Sequence, residues 1–174
     1  SFAYSLHLAI LKALFLSHFK GATSYTELGS GTGINLLLLS QLFPGAAFFG
    51  TDWTNTSVQL IRAIADARSV NLKGVCLDLR TMEGGDSIQT SPDGIIFTIH
   101  ALEQIGAQYE RVLSFLLAQP AQLVFHLEPL LELYDTTANL DVLASAYHRH
   151  LGYLEGYLPT LQKLEQRGVI EIME

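Results

Sequence analysis

Apolar and polar positions alternate along the chain in short blocks whose period changes from block to block. Residues 2–19 are almost continuously apolar, broken only by Ser5, His7, Lys12, Ser17 and His18, and predict a buried helix that covers the rest of the domain. A short β-prone run at residues 24–28 follows and ends at glycines. Residues 34–43 read as a helix that Pro44 and Gly45 stop, and residues 46–51 as the next strand. Thr54, Asn55, Thr56 and Ser57 offer N-caps to a helix in which Leu60, Ile61, Ile64 and Ala67 recur at helical spacing. A third strand is expected at residues 74–77. A loop with Gly84-Gly85 and Ser91-Pro92 then leads into Gly94-Ile95-Ile96-Phe97-Thr98-Ile99, a continuous run suited to a central strand buried on both faces. Residues 102–118 predict a helix, and residues 121–127, after Pro120, a fifth strand. Residues 141–166 form one long helical stretch that Gly152, Gly156 and Pro159 can disturb; Gly168 closes it, and residues 169–173 predict a last strand.

Strands separated by helices need crossover connections. The pattern therefore predicts an α/β fold with a doubly wound, mostly parallel sheet and helices on both faces. A length of 174 residues suits one domain, a leading helix over residues 1–21 and an α/β core over residues 22–174. The chain begins at Ser1 rather than Met, as a piece of a longer polypeptide with further domains would. In open α/β sheets ligands bind beyond the carboxyl ends of the strands. That rule directs attention to residues 27–33, Asp52 and Trp53, Asp78 and Leu79, residues 100–104, and Glu128 with Pro129.

Composition narrows the function. The net charge is −7 and the ten Lys and Arg residues do not cluster, which argues against a nucleic-acid partner. The single cysteine, Cys76, allows neither an internal disulfide nor a thiolate zinc cluster, and a reducing cytoplasm is the expected setting. The leading apolar stretch is too interrupted for a membrane span, which wants about 20 mainly apolar residues. His148 and His150 lie two apart and so on different faces of a helix; no metal site is expected from them.

The strongest local signal is the turn after the first strand. Gly29-x-Gly31-x-Gly33 lets backbone approach a ligand and aims helix N–H groups at it. The dinucleotide pattern G-x-G-x-x-G would need glycine at position 34, where the chain has Ile. Glu27, two residues before the first glycine, would repel a phosphate and suits a cation. In this respect Glu27-Leu28-Gly29-Ser30-Gly31-Thr32-Gly33 resembles the first motif of the class I (Rossmann-like) S-adenosylmethionine (SAM)-dependent methyltransferases.

That resemblance implies a class I methyltransferase-like fold, here without its usual last strand, with SAM as cofactor. The loop, Glu27 with Leu28, Gly29, Ser30, Gly31 and Gly33, would wrap the methionine part, and Glu27 would act on its amino group. Asp52, at the end of the second strand, would accept the ribose hydroxyls, and Trp53 would flank adenine. Asp78 would take the adenine amino group while the backbone N–H of Leu79 contacts the ring. Thr98 and His100, at the exit of the fourth strand, resemble the segment that faces the methyl group and the acceptor in small-molecule methyltransferases. The Asn-Pro-Pro-Tyr type of motif is not present, which disfavours planar amide and nucleobase nitrogens as acceptors.

Methyl transfer depends mainly on positioning. An acceptor hydroxyl must also lose a proton, and a histidine is suited to take it near neutral pH. His100 is the first candidate, as base or as a cofactor-lining group. Glu128 is the second, as an acceptor contact at the rim, whereas His126 inclines to a structural role. The expected activity is methyl transfer to the oxygen or nitrogen of a small or medium-sized molecule. Two other functions compete with it: a methyltransferase-like module that binds without catalysis, and a NAD-dependent oxidoreductase, which the glycine spacing and Glu27 disfavour.

Overall fold

The computed structural model describes residues 2–173. Helix α1 (Phe2–His18) leads into β1 (Ser24–Glu27), α2 (Ile34–Leu42), β2 (Ala47–Asp52), α3 (Asn55–Arg68) and β3 (Leu72–Cys76). Then come β4 (Gly94–Ile99), α4 (Glu110–Leu117), β5 (Leu123–Leu127), α5 (Asn139–Leu151) and α6 (Tyr157–Gln166). All five strands are parallel and lie in the order β3-β2-β1-β4-β5. This is the doubly wound arrangement the sequence predicts, and the order reverses between β1 and β4, where crossovers leave to opposite faces.

Each face is sealed by its own apolar cluster. Phe15 and Phe19 from the first helix and its exit, Leu36 and Leu39 of α2 and Ile61 of α3 pack with Tyr25, Phe48 and Phe97 on one side. Phe19 is the hub there, with ring centroids 5.4 Å from Phe97 and 5.3 Å from Phe125, both edge-on, the arrangement the ring quadrupoles favour. On the other side Val112, Leu113 and Leu116 of α4 and Tyr157 of α6 pack with Leu28, Ile96 and Leu77. Strand β4 is buried from Gly94 to Thr98, which accounts for its unbroken apolar run.

Four expectations need correction. Helix α1 covers the sheet with a single stripe, Leu11 and Phe15 continued by Phe19, while Phe2, Tyr4, Leu6, Ile10 and Leu16 remain exposed. It is apolar all round, but one α-helix can turn only one stripe inward. Residues 102–118 do not form one helix: Leu102–Ile105 is a 3-10 turn, and Gly106, at φ 59 and ψ −132, breaks the chain before α4. The stretch 141–166 is two helices, because Gly152 at φ 65 closes α5 with a Schellman pair, Gly152 N–H to Arg149 C=O and Tyr153 N–H to His148 C=O. Pro159 falls in the first turn of α6, where its missing N–H has no helical partner to lose.

The fourth correction concerns residues 169–173, which form no strand. A second Schellman pair at Gly168, with Val169 N–H bonded to Leu164 C=O, turns the chain back on α6, and the Ile172 N–H is taken by the Glu165 carboxylate at 2.8 Å. Backbone groups satisfied by α6 cannot join the sheet ladder. Among the described residues no helix is long and apolar enough to cross a membrane, and no group of three His, Cys, Asp or Glu could hold a metal ion.

Candidate functional site

The ends of β1 to β4 surround a cavity of about 370 Å³ on the carboxyl side of the sheet. Its floor and walls come from Gly29 and Gly31 after β1, Asp52 and Trp53 after β2, Leu77 to Arg80 after β3, and Ala101, Gln104 and Ile105 after β4.

The glycine loop is built by its neighbour strand. Thr51 of β2 accepts from the Gly29 N–H through its hydroxyl (3.2 Å), and its carbonyl accepts from the Ser30 N–H (2.6 Å) and the Ser30 hydroxyl (3.0 Å). Gly29, Gly31 and Gly33 all have positive φ, at 73, 52 and 74, but for different reasons. A Cβ at Gly29 would lie 2.5 Å from the Ala101 Cβ, and one at Gly33 would lie 3.0 Å from Ile61, so these two permit close packing. At Gly31 nothing lies within 4 Å. It is the glycine that faces open space in the cavity.

Glu27 lies beneath this loop with only 1% of its surface exposed. Its Oε1 accepts from the Asn35 amide at 2.7 Å, and its Oε2 is buried with no partner. Burial pushes the carboxyl up to about 8, against a smaller lowering by Asn35. A buried oxygen without a donor is costly, and Glu27 itself is not among the residues that line the cavity. Asp52 is half satisfied: its Oδ1 accepts from the Thr54 N–H (2.8 Å) and hydroxyl (2.7 Å), leaving Oδ2 to the cavity. The N-cap of α3 is Thr54, bonded to the Ser57 N–H, so Asp52 is not needed for that task. Asp78 accepts from the Arg80 N–H at 2.8 Å, and Leu79 stands beside it in the wall.

Of the residues singled out in the sequence, Gly29, Gly31, Asp52, Trp53, Asp78 and Leu79 line the cavity together. Leu28 and Ser30 point inward as packing and loop anchor, and Thr98 is fully buried with its hydroxyl 2.8 Å from the His126 Nδ1. His100 stands outside: its side chain is 56% exposed, with Nδ1 3.3 Å from the Glu103 carboxylate. Glu128 is also turned away from the cavity. Its Oε1 accepts from the Ala101 N–H (3.0 Å) and its Oε2 from the Glu103 N–H (3.2 Å), so it holds the wall rather than a ligand.

Arg80, Asn35 and Thr51 belong to the site without being singled out in the sequence, whereas Gln104 falls in the stretch 100–104 that the sequence already points to. Arg80 closes the mouth, its guanidinium donating to the Gln104 carbonyl at 3.0 Å, and the Gln104 amide in turn donates to the His100 carbonyl at 3.0 Å. Asn35 and Thr51 sit just outside the cavity and orient Glu27 and the loop. Only Asn35 has a findable logic, as a polar residue two positions after the glycine loop and just before a run of four leucines.

No family model and no curated protein matches the sequence. Solved structures match it in fold. The N-terminal domain of EvdMO1 with S-adenosylhomocysteine (SAH) bound aligns with a TM-score of 0.52 at 16% identity, over 67% of this chain and 45% of that one. The bifunctional kinase-methyltransferase WbdD aligns at 0.55 and 18% identity, over 80% of this chain and 31% of that one. The [4+2]-cyclase SpnF aligns at 0.50 and 14% identity, over 63% and 39%. The chain thus spans half the length of these structures or less. Its fold is that of the class I methyltransferases.

Proposed function

We propose that the cavity binds SAM and that the domain transfers its methyl group to oxygen or nitrogen of a small or medium-sized molecule. One observation carries this reading: the buried, unpartnered Oε2 of Glu27 directly under the glycine loop. That oxygen calls for a cationic donor, and the ligand's ammonium is one. The residues present fit the rest of the group. Gly31 leaves open space for the methionine chain, Asp52 Oδ2 is free to accept from a ribose hydroxyl, and Asp78, Leu79 and Trp53 form the remaining wall for adenine.

When bound, SAM would supply an electrophilic methyl carbon on a sulfonium for an acceptor's lone pair. The chain's own residues do the positioning. Glu27 fixes the ammonium end, the glycine loop sets how closely the backbone approaches, and Ala101 and Gln104 bound the space after β4. An acceptor hydroxyl would shed its proton to water, because His100 stands outside the cavity with its side chain 56% exposed.

A second reading, binding of the cofactor without methyl transfer, is favoured by the place of His100 outside the cavity. The fold match to a protein named as a cyclase points the same way. Calorimetry with SAH and with NAD tests the cofactor: heat with SAH and none with NAD is expected, and the reverse ends the proposal. Turnover of SAM against a panel of hydroxyl and amine acceptors then separates transfer from binding.

A further inference from the structure

A second cavity, of about 470 Å³, opens beside the first and shares Asp78 and Arg80 with it. Its other walls are Thr81 on the loop after β3, and Gln108, Glu110 and Arg111 around the start of α4. The two cavities differ in chemistry. Leu77, Leu79, Ala101 and Ile105 give the first an apolar lining, whereas every residue lining the second is polar or charged. An apolar ligand would gain nothing there, so the occupant must be recognised by hydrogen bonds and charge.

Two arginines reach this cavity from different elements. Arg80 donates to the Gln104 carbonyl at 3.0 Å, and Arg111 to the Thr81 carbonyl at 3.3 Å. Each bond uses one of the five N–H groups that a guanidinium carries. Among the described residues no carboxylate oxygen lies within 4.0 Å of either guanidinium, although the chain holds 17 acidic residues against ten Lys and Arg. A neutral carbonyl leaves the positive charge uncompensated. What a guanidinium fork matches is a carboxylate or a phosphate, taken through two parallel N–H bonds. The Thr81 hydroxyl accepts from the Glu83 N–H at 3.2 Å and keeps its own hydrogen to donate.

The acids in the wall restrict the ligand further. Asp78 Oδ1 takes the Arg80 N–H at 2.8 Å, and Glu110 stands in the first turn of α4. Two arginines and two acids leave the cavity close to neutral, so a chain of phosphates would be repelled as much as held. A single oxyanion beside hydroxyl or amine donors satisfies both kinds of group.

We propose that this cavity binds one carboxylate or phosphate monoester on a small molecule that also carries hydroxyl or amine groups, with Arg80 and Arg111 holding the oxyanion. The site stands without the cofactor reading above, whereas assigning its ligand as the methyl acceptor rests on that reading.

The first test needs no cofactor. Glycerol phosphate is the probe and glycerol the control, at constant ionic strength because screening alone disturbs surface charges. In ¹⁵N-labelled protein the Nε–H signals of Arg80 and Arg111 should shift together with glycerol phosphate and stay still with glycerol. Arg111→Gln should weaken binding about tenfold, the scale of one charged hydrogen bond. Arg167→Gln, at the exposed end of α6, should leave it unchanged. Glu110→Gln should tighten it about threefold by removing a like charge, a gain that no damaged fold produces. Still signals, equal losses in Arg111→Gln and Arg167→Gln, or no tightening in Glu110→Gln overturn the proposal. Turnover of SAM then identifies the source of the oxyanion. Among hydroxyl and amine acceptors paired to differ by one phosphate or carboxylate, the charged member should show about tenfold lower KM, an advantage lost in Arg111→Gln. Equal KM assigns the site to a free anion instead. Wild-type protein that gives no heat with SAH defeats the cofactor reading alone, since the arginine signals still decide the site.

Discussion

Glu27 ends the central strand β1 and Glu128 directly follows the edge strand β5, each beside a bend with positive φ, yet they do opposite things. Glu27 receives one hydrogen bond from the chain, from Asn35, and keeps an oxygen unpartnered. Glu128 receives a backbone N–H on each oxygen, from Ala101 and from Glu103, and leaves neither oxygen unpartnered. Burial raises the carboxyl of both, and hydrogen bonds work against it, from the Asn35 side chain on Glu27 and from the loop amides on Glu128. The difference teaches that an acid at a strand end marks a ligand site only where the protein leaves it under-bonded. Position in the fold nominates both residues; hydrogen bonding decides between them.

The comparison breaks most readily at Glu27. Glu27→Gln keeps the shape and the bond to Asn35 but removes the charge that a ligand ammonium would meet. SAH affinity should fall about 100-fold, the upper range for a charged hydrogen bond. Without ligand the same variant should resist heat better than wild type above pH 8. The sign follows from the raised carboxyl: between its ordinary 4.5 and about 8 the folded chain holds a proton that the unfolded chain has released. Wild-type stability therefore declines as pH rises through that window and levels off above it, and the glutamine variant loses this slope. Melting curves from pH 5 to 9 check it. Calorimetry near pH 7 in buffers of different ionisation enthalpy should also show about one proton released on SAH binding, because the ligand's ammonium favours the ionised form.

Glu128 should behave in the contrary way. Glu128→Ala strands the amides of Ala101 and Glu103 beside the bend at His100, which sits at φ 53, at a cost of about 1–3 kcal/mol in stability. Adding His100→Gly should return about 1 kcal/mol, since glycine adopts the left-handed bend freely. Urea denaturation of the two variants checks this; a double variant less stable than Glu128→Ala would show that the bend is not under strain. Asp52 lies between the two acids, with one oxygen held and one free. Asp52→Asn can keep the bond from Thr54, so fold stability should change little while SAH affinity drops about tenfold. Equal affinity would remove Asp52 from the ribose role.

Much of the fold is legible in the chain because each strand carries its own signal. The alternation of short apolar runs with helical periods implies a parallel sheet, and the β-branched run at Ile95 and Ile96 marks its centre. What is not legible is decided by caps. Gly106, Gly152 and Gly168 end or divide helices whose periodicity runs on past them, and the Val169 and Ile172 amides find partners on α6 that no local pattern announces. In the site, the glycine spacing and the acids at positions 27, 52 and 78 can be read directly. Their separation from Glu128 cannot, because it depends on hydrogen bonds from the loop amides of Ala101 and Glu103 to a carboxylate that follows β5. Arg80 is legible only once its loop has been brought against that of Gln104.

Trp53 gives the smallest effect. It is the sole tryptophan, 74% exposed, and it lines the cavity beside Asp52. A ring so open has little packing to lose, so Trp53→Ala should leave stability within about 0.5 kcal/mol of wild type. Against adenine the same ring would gain a stacked face, and its loss should weaken SAH about threefold, at the low end for one aromatic contact. Because no other indole contributes, wild-type emission should shift to shorter wavelength as SAH covers the ring, with a midpoint matching the calorimetric affinity. If SAH binds with heat but the emission stays fixed, adenine does not reach Trp53. The ring would then belong with Glu128 among residues that the fold places near the site and the ligand leaves alone.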